Sequence, residues 1–585
     1  MNETKQGADA HAAFARRNEE RKADNAAAAR EEAERNRKPV ECLGAEGSCN
    51  VYWSRSSGDI HKLKANEHTR NNLYRMARFE EYARWIRPDL PPDDAEEQEA
   101  AIMKKAVRRL LEGSLGKRFD ASRVRGRGVW PDVAGGWVYN AGASCWFIPA
   151  DGGQVEQVDA VRNGCVYAAG VELPSPADTP LPDEEGRELV ELMRARSWVL
   201  PGAGDVMAGW MAASMLAGVM PICPHVWINA PSGTGKTYLK NDLVAVLGRY
   251  SMTQEGVPTD AGVRQRLNGD AIPVLIDEVE QGDNETAGHK IRNLLELMRS
   301  ASYGKDPIAK GGADGTPRLY PMKCSFALFS IANCISRDAD SSRCLVLHLR
   351  RGDKTVREVW TRQDVGRALV QTPGFHGRLI ARLLGCLPVL MENLSVLREH
   401  LGKVEGVDSR RAELFAVLMA CRHALVSREN MRQEAMQEAA AMMLSYGEQE
   451  EKESDFSRCL AVLLGHVVRV RGQEMTVADA CRVMEAKVDT ETMAACALSL
   501  GAAGLRWRDD LNALQVDTLA DKMKRIFTGT QWSNGKVSPV LAEGADKNKG
   551  KAGKNDLGIF YVSDKKLGGR RCVVIPASLV LGDDE

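Results

Sequence analysis

The residues with the plainest chemical purpose lie between His225 and Tyr238, in the run His-Val-Trp-Ile-Asn-Ala-Pro-Ser-Gly-Thr-Gly-Lys-Thr-Tyr. A short apolar stretch enters a loop of small residues, Ala230, Pro231, Ser232, Gly233, Thr234 and Gly235. Lys236, Thr237 and Tyr238 then open a helical pattern that continues to Leu247. Strand, small-residue loop and helix in that order make a cradle for a polyphosphate, because backbone N–H groups turn inward and the helix N-terminus adds partial positive charge. Gly233 and Gly235 let the main chain approach, Lys236 reaches the outer phosphates, and Thr237 offers a hydroxyl to Mg²⁺. Ala230 stands where the usual pattern has its first glycine, and a residue that small costs little sterically.

A second group of chemically apt residues follows in Pro273-Val-Leu-Ile-Asp-Glu278. Three apolar residues closed by two carboxylates read as a buried parallel strand with acids at its C-terminal end. Asp277 is placed to hold Mg²⁺ through water and Glu278 to polarise an attacking water, a pairing that suits hydrolysis rather than passive binding. A third strand, Ser325 to Asn333, ends in an amide that would sense a γ-phosphate and orient the same water. Arg343, immediately before the apolar strand Cys344–Leu349, suits an arginine finger reaching a neighbouring subunit's site. Arg337 is the alternative finger, and a surface salt bridge is the rival reading of Arg343.

This order of phosphate loop, acidic strand, Asn strand and Arg resembles the AAA+ class of P-loop ATPases. Within that class it is most similar to the ATPase part of phage and prophage primase–helicase proteins, akin to superfamily-3 helicases. The likeness is carried by Gly209-Trp210, Pro224 to Asn229, Asp260 to Gln265, Asp270 to Glu278 and Ala339 to Arg343, with an echo in Arg125-Gly-Arg-Gly-Val-Trp130. It implies ATP and Mg²⁺ bound between subunits of a homo-oligomeric ring, usually hexameric, that tracks along DNA. No primase part is recognisable, so priming is not implied.

The elements that must position these residues come from the rest of the chain. At 585 residues it is too long for one core and is expected to hold several domains. The expected class is α/β: an AAA+ P-loop core with a helical lid, an N-terminal α+β region and a C-terminal winged-helix-like domain. The divisions fall at 1–38 (a charged tail or helix), 39–185, 186–352 (the core), 353–446 (the lid) and 447–585. A net charge of −1 excludes a generally basic nucleic-acid binder, so contact with DNA needs local patches. The 14 cysteines form no C-x-x-C pair or zinc pattern and read as reduced thiols of a cytoplasmic protein. The first residues lack the apolar core of a secretory signal. The most apolar run, Val206 to Cys223, leads straight into the nucleotide strand, so it reads as a buried helix rather than a membrane span.

Several further segments bear on function. Cys49 to Leu63 patterns as a hairpin turning at Ser57-Gly58. Arg123, Arg125 and Arg127, set among glycines and Trp130, could contact phosphates or equally dock the small domain onto the core. Between the acidic strand and the Asn strand, Ile308 to Tyr320 reads as a hairpin around a Gly-rich turn, with Lys305, Lys310, Arg318 and Lys323 nearby. In the relatives it resembles, a hairpin so placed enters the ring's pore, and Lys310 is then the expected phosphate contact. Past Gly352, helical patterns at 356–368, 374–390 and 410–426 make the lid. From it Arg378 or Arg382 could reach the γ-phosphate, or could simply be the polar face of a helix. The C-terminal region reads as helices at 456–470, 477–486, 490–503 and 514–527, followed by two strands, with a basic loop at 547–554.

Overall fold

The computed structural model describes residues 38–581 apart from 231–233, 280–284, 305–307, 312–316, 331–341, 351–356, 453–454, 520, 528–531, 533–536, 544, 546–549 and 565–569. The chain divides into two compact units. The first comprises residues through Arg125, Asp159–Val171 and Gly311–Pro317, and the second Gly126–Val158, Glu172–Lys310 and Arg318 onward.

In the first unit, strands β1 (Val40–Glu46), β2 (Cys49–Ser54) and β3 (Ile60–Lys64) form an antiparallel meander. The turn between β2 and β3 contains Gly58 at φ 71°, where the hairpin was expected. Helices α1 (Phe79–Ile86) and α2 (Glu99–Ser114) turn Tyr82, Ile86, Ile102 and Leu110 inward against Val40 and Tyr52. Each such side chain contributes roughly 1.5–3 kcal/mol when fully buried. An Arg55–Asp159 ion pair fastens the returning segment to this sheet.

The second unit begins with an antiparallel sheet, β4 (Gly128–Pro131), β5 (Trp137–Asn140), β6 (Cys145–Ile148) and β7 (Glu156–Val158). Val129, Tyr139 and Ile148 on these strands share one core with the residues that follow, so the sheet belongs with the parallel-sheet region although it lies before residue 185. Arg127 fixes the junction. Its Nε and Nη2 donate to Asp270 Oδ2 at 3.0 and 2.5 Å, and its backbone N–H donates to Asp270 Oδ1 at 2.6 Å. These bonds tie the start of β4 to the segment before the acidic strand within one unit.

Helices α3 (Asp183–Arg194) and α4 (Ala203–Met215) precede the central sheet. Every residue of α4 is buried, in keeping with its apolar composition. The parallel sheet contains β8 (His225–Asn229), β9 (Met252–Glu255), β10 (Val274–Asp277), β13 (Phe326–Ser330) and β14 (Cys344–His348), in the order β9-β10-β13-β8-β14. All neighbours run parallel, with Trp227 level with Leu328 and Val346. Near-continuous apolar runs suit strands covered on both faces. Helices α5 (Lys236–Leu247), α6 (Asp260–Leu267) and α7 (Glu285–Tyr303) connect them. Strands β11 (Ile308–Gly311) and β12 (Pro317–Tyr320) pair as a separate two-stranded ribbon just before β13, at the place expected for the hairpin.

Helices α8 (Arg357–Val370), α9 (Phe375–Gly385), α10 (Leu387–Leu401) and α11 (Ser409–Val426) follow the sheet. Residues of α9, α10 and α11 share the same core as α3, α4 and the sheet. Contact between α11 and α4 is so close that a Cβ on Gly209 would lie 2.2 Å from the Leu418 carbonyl oxygen, so only glycine fits there. Asp205 of α4 reinforces this packing by accepting from Arg194 of α3 and Arg422 of α11, at 2.7–2.9 Å. Among the described residues no single helix is long and apolar enough to cross a membrane.

The C-terminal region has a core of its own, from Phe456 to Val580. Helix α12 (Asp455–Gly465) leads to a hairpin, β15 (Val467–Val470) and β16 (Gln473–Thr476), and then to α13 (Val477–Ala486) and α14 (Thr490–Ala502). Strands β17 (Leu505–Arg508), β18 (Ala513–Val516), β19 (Phe560–Asp564) and β20 (Arg570–Pro576) form an antiparallel sheet in the order β17-β18-β20-β19. The stretch expected as a helix at 514–527 instead begins as strand, in Ala513–Val516, and is helical only at Asp521–Ile526.

Candidate functional site

Because the five strands are parallel, their C-terminal ends line one edge of the sheet, and that edge is where a doubly wound α/β protein binds ligands. Asn229, Glu255, Asp277, Ser330 and His348 all end there. Strand β13 lies between β8 and β10, so the acidic strand is one strand removed from the strand that feeds the small-residue loop.

Ala230 is fully buried, and its N–H donates to the Ser330 carbonyl at 2.9 Å. A methyl group fits there, which explains how alanine replaces the usual glycine. Pro231, Ser232 and Gly233 lie outside the described residues. Gly235 caps α5 from a left-handed conformation, φ 93°, which glycine adopts without strain. Lys236 is then the first residue of the helix, and its Nζ lies 3.8 Å from Asp277 Oδ1. The lysine of the loop and the carboxylate of the acidic strand thus meet in one place. Thr237 and Tyr238 are exposed at the same helix end.

Asp277 is only 7% exposed. Its Oδ1 accepts the Glu278 backbone N–H at 2.9 Å, and its Oδ2 lies 2.6 Å from Lys240 Nζ, one helical turn beyond Lys236. Lys240 was not anticipated, although its spacing of four from Lys236 puts both on one face of α5. Glu278 is exposed and held at φ 57°, a left-handed conformation uncommon for a residue with a Cβ. Strained backbone of this kind is concentrated at functional sites. The Val279 N–H donates to the Phe329 carbonyl at 3.0 Å and fixes the chain just past Glu278.

The donor set suits a hard divalent cation, since Asp277 and Thr237 offer oxygen and Mg²⁺ takes one or two protein oxygens plus phosphate. Among the described residues there is no gathering of three or more His, Cys, Asp and Glu side chains that could hold a metal elsewhere.

Asn333 and Arg337 lie outside the described residues, as does Lys305. Lys310 and Arg318 fall on β11 and β12, whose backbone alone is described. Arg343 sits at the opposite edge of the sheet. Its carbonyl accepts the His225 N–H at 3.2 Å, so it is level with the first residue of β8, and its guanidinium lies 5.9 Å from the centre of the Tyr303 ring. A strand of five residues spans about 16 Å, which is the order of its distance from the small-residue loop of the same chain.

Arg378 and Arg382, the candidates to reach the site from a lid, do not do so. Arg382 has no exposed side-chain surface. It donates to the Ala424 carbonyl at 2.8 Å, the Leu181 carbonyl at 3.1 Å and Asp183 at 2.5 Å. Arg378 pairs with Glu185 at 2.8 Å. Both serve the joint between α9 and the start of α3. Arg367 of α8, not anticipated, comes nearer: its Nε donates to Asp242 Oδ1 at 3.0 Å and its guanidinium lies 6.0 Å from the centre of the exposed Tyr238 ring.

Beneath the site, His225 anchors β8. Its Nδ1 accepts the Phe326 N–H at 3.1 Å and its Nε2 lies 2.8 Å from the Met298 carbonyl and 2.9 Å from Ser302 Oγ. Those partners require the neutral Nε2–H form, and burial pushes the imidazole down to about 4.

No protein-family model matches the chain, and no curated protein matches it. Among solved structures the chain is similar to one described as "SCCmec type IV Cch - active helicase", with TM-score 0.38, 12% identity and 92% of both chains covered. It is similar also to the NrS-1 C-terminal region in its apo structure, with TM-score 0.28, 10% identity and 92% of this chain and 96% of that one covered. The A-form apo structure of the NrS-1 C-terminal region gives TM-score 0.30, 9% identity, and 92% and 97% coverage. Scores and identities this low carry neither a fold nor an activity across.

Proposed function

We propose that the chain is a Mg²⁺-dependent ATPase acting as a ring of identical subunits, and that its turnover moves along or unwinds DNA in the replication of a phage or other mobile element. The observation that carries this reading is the meeting of Lys236 and Asp277 at the C-terminal edge of a parallel sheet. Lys236 binds the outer phosphates, and Thr237 and Asp277 hold the metal, which when bound neutralises charge on those phosphates. Glu278 accepts the proton of the attacking water, and Asn333 orients that water. Arg343 serves the site of the adjoining subunit, in keeping with its place at the far edge of its own sheet. Lys310, with Arg318 and Lys305 near it, contacts the DNA backbone from the β11–β12 ribbon.

ATP hydrolysis measured with and without single-stranded, forked and duplex DNA, for the parent and for Lys310→Ala, tests this reading. DNA is expected to stimulate the parent several-fold and the variant much less. Turnover indifferent to every DNA removes the DNA motor, and a parent that never hydrolyses ATP removes the ATPase.

One observation favours a second reading, a motor that remodels a protein or acts in antiphage defence without unwinding DNA. Helix α14 contains no Lys or Arg and exposes Leu498 at 77%. A helix of that character suits a protein surface better than a phosphate backbone.

A further inference from the structure

We propose that Lys240 is a positioning residue which holds the Asp277 carboxylate until a nucleotide brings a divalent metal, so that the metal binds only in the company of phosphates. This rests on the nucleotide site proposed above.

Each oxygen of Asp277 faces an ammonium group. Its Oδ2 lies 2.6 Å from Lys240 Nζ, and its Oδ1 accepts the Glu278 N–H and lies 3.8 Å from Lys236 Nζ. Two ammonium groups on one carboxylate compete directly with a divalent cation for its oxygens, which disfavours the free metal. A triphosphate shifts that balance, because it engages Lys236 and supplies further oxygens and negative charge for the metal. The structure also contains a second partner for the displaced ammonium. Glu255 is paired in register with Asp277 on β9, its Oε1 lies 3.9 Å from Lys240 Nζ, and its side chain is 82% exposed. Lys240 can therefore pass from Asp277 to Glu255 by side-chain rotation while α5 stays in place. Asp277 is kept oriented throughout, first by an ammonium and then by the metal.

The test uses the full chain with Mn²⁺ as the probe, bound metal being read by electron paramagnetic resonance with and without a non-hydrolysable ATP analogue. Binding of a fluorescent ATP analogue is followed in parallel. The parent is expected to take up Mn²⁺ at least tenfold more tightly with the nucleotide than without it. Lys240→Met is expected to bind Mn²⁺ alone tenfold or more tighter than the parent does, and Lys240→Arg, which keeps the charge, to behave as the parent. Equal Mn²⁺ affinities in the parent and Lys240→Met overturn the proposal. Should Lys240→Met not fold, Glu255→Gln decides: it is expected to weaken nucleotide-dependent Mn²⁺ binding several-fold, and an unchanged affinity overturns the proposal. A parent that binds no nucleotide removes the site itself, whereas a parent that binds nucleotide beside an unresponsive Lys240→Met removes only the role of Lys240.

Discussion

His225 illustrates how individual residues set the working range of the site. It is fully buried at the start of β8, and its two nitrogens are matched to a backbone donor and a carbonyl acceptor. Its folded-state value, about 4, lies below the ordinary 6.5, so the unfolded chain takes up a proton first as pH falls. The stability it contributes is intact above pH 6.5 and is lost progressively as pH drops toward 4, amounting to about 3 kcal/mol. Urea midpoints of the parent are expected to fall across that window, and His225→Asn is expected to lose most of this slope while being less stable at neutral pH. A parent midpoint that is flat from pH 6.5 to 4.5 contradicts the assignment. Not every residue of the site was readable in advance. The loop and the Asp277-Glu278 pair declare themselves because their chemistry depends on contiguous residues. The Lys240–Asp277 pair joins a helix to a strand far along the chain, and only the fold brings them together.

At the scale of elements, buried polar joints hold the helices to the sheet. Asp205 accepts from arginines on two other helices, with its own side chain 7% exposed. Asp205→Ala would take the shared carboxylate from Arg422 and from Arg194, which keeps Glu191, and is expected to cost about 1–3 kcal/mol. Equilibrium unfolding in urea is expected to show that loss, and a loss below about 1 kcal/mol would show that the arginines find other partners. Strands of the parallel sheet were legible from their unbroken apolar runs. In the C-terminal sheet the last two strands, β19 and β20, were legible, whereas β17 and β18 were not. Leu514, Val516, Leu519, Met523 and Phe527 are spaced like a helix face, yet Ala513–Val516 is a strand whose four residues are all buried and which pairs with Arg570–Pro576. Pairing across so long an interval leaves no local trace, and tertiary burial overrides the periodicity. Arg382 misled for a similar reason, since its helix reads as amphipathic while its guanidinium is buried among carbonyls and Asp183.

For the whole molecule, the division of labour proposed across the sheet leads to a test of assembly. Lys236 and Asp277 stand at one edge and Arg343 at the other. A subunit that supplies its arginine to a neighbour cannot complete its own site, so Glu278→Gln and Arg343→Ala are each expected to be inactive when pure. Mixed, they should recover part of the parental ATPase rate at those junctions where an intact Glu278 faces an intact Arg343. No recovery at any mixing ratio, with ring assembly verified by sedimentation, would assign Arg343 to a different task. The division into domains was only partly legible. Residues 128–158 pattern as β-structure continuous with what precedes them, and only the Arg127–Asp270 joint and the shared core reveal which body they belong to.

The left-handed backbone at Glu278 carries a cost for anyone who sets out to improve this protein. Glycine occupies that conformation more easily by roughly 1 kcal/mol, so Glu278→Gly is expected to raise the melting temperature by a few degrees or less while abolishing ATP turnover. A laboratory selection scored on heat resistance alone would be drawn toward that substitution and would enrich sturdier molecules that no longer do chemistry.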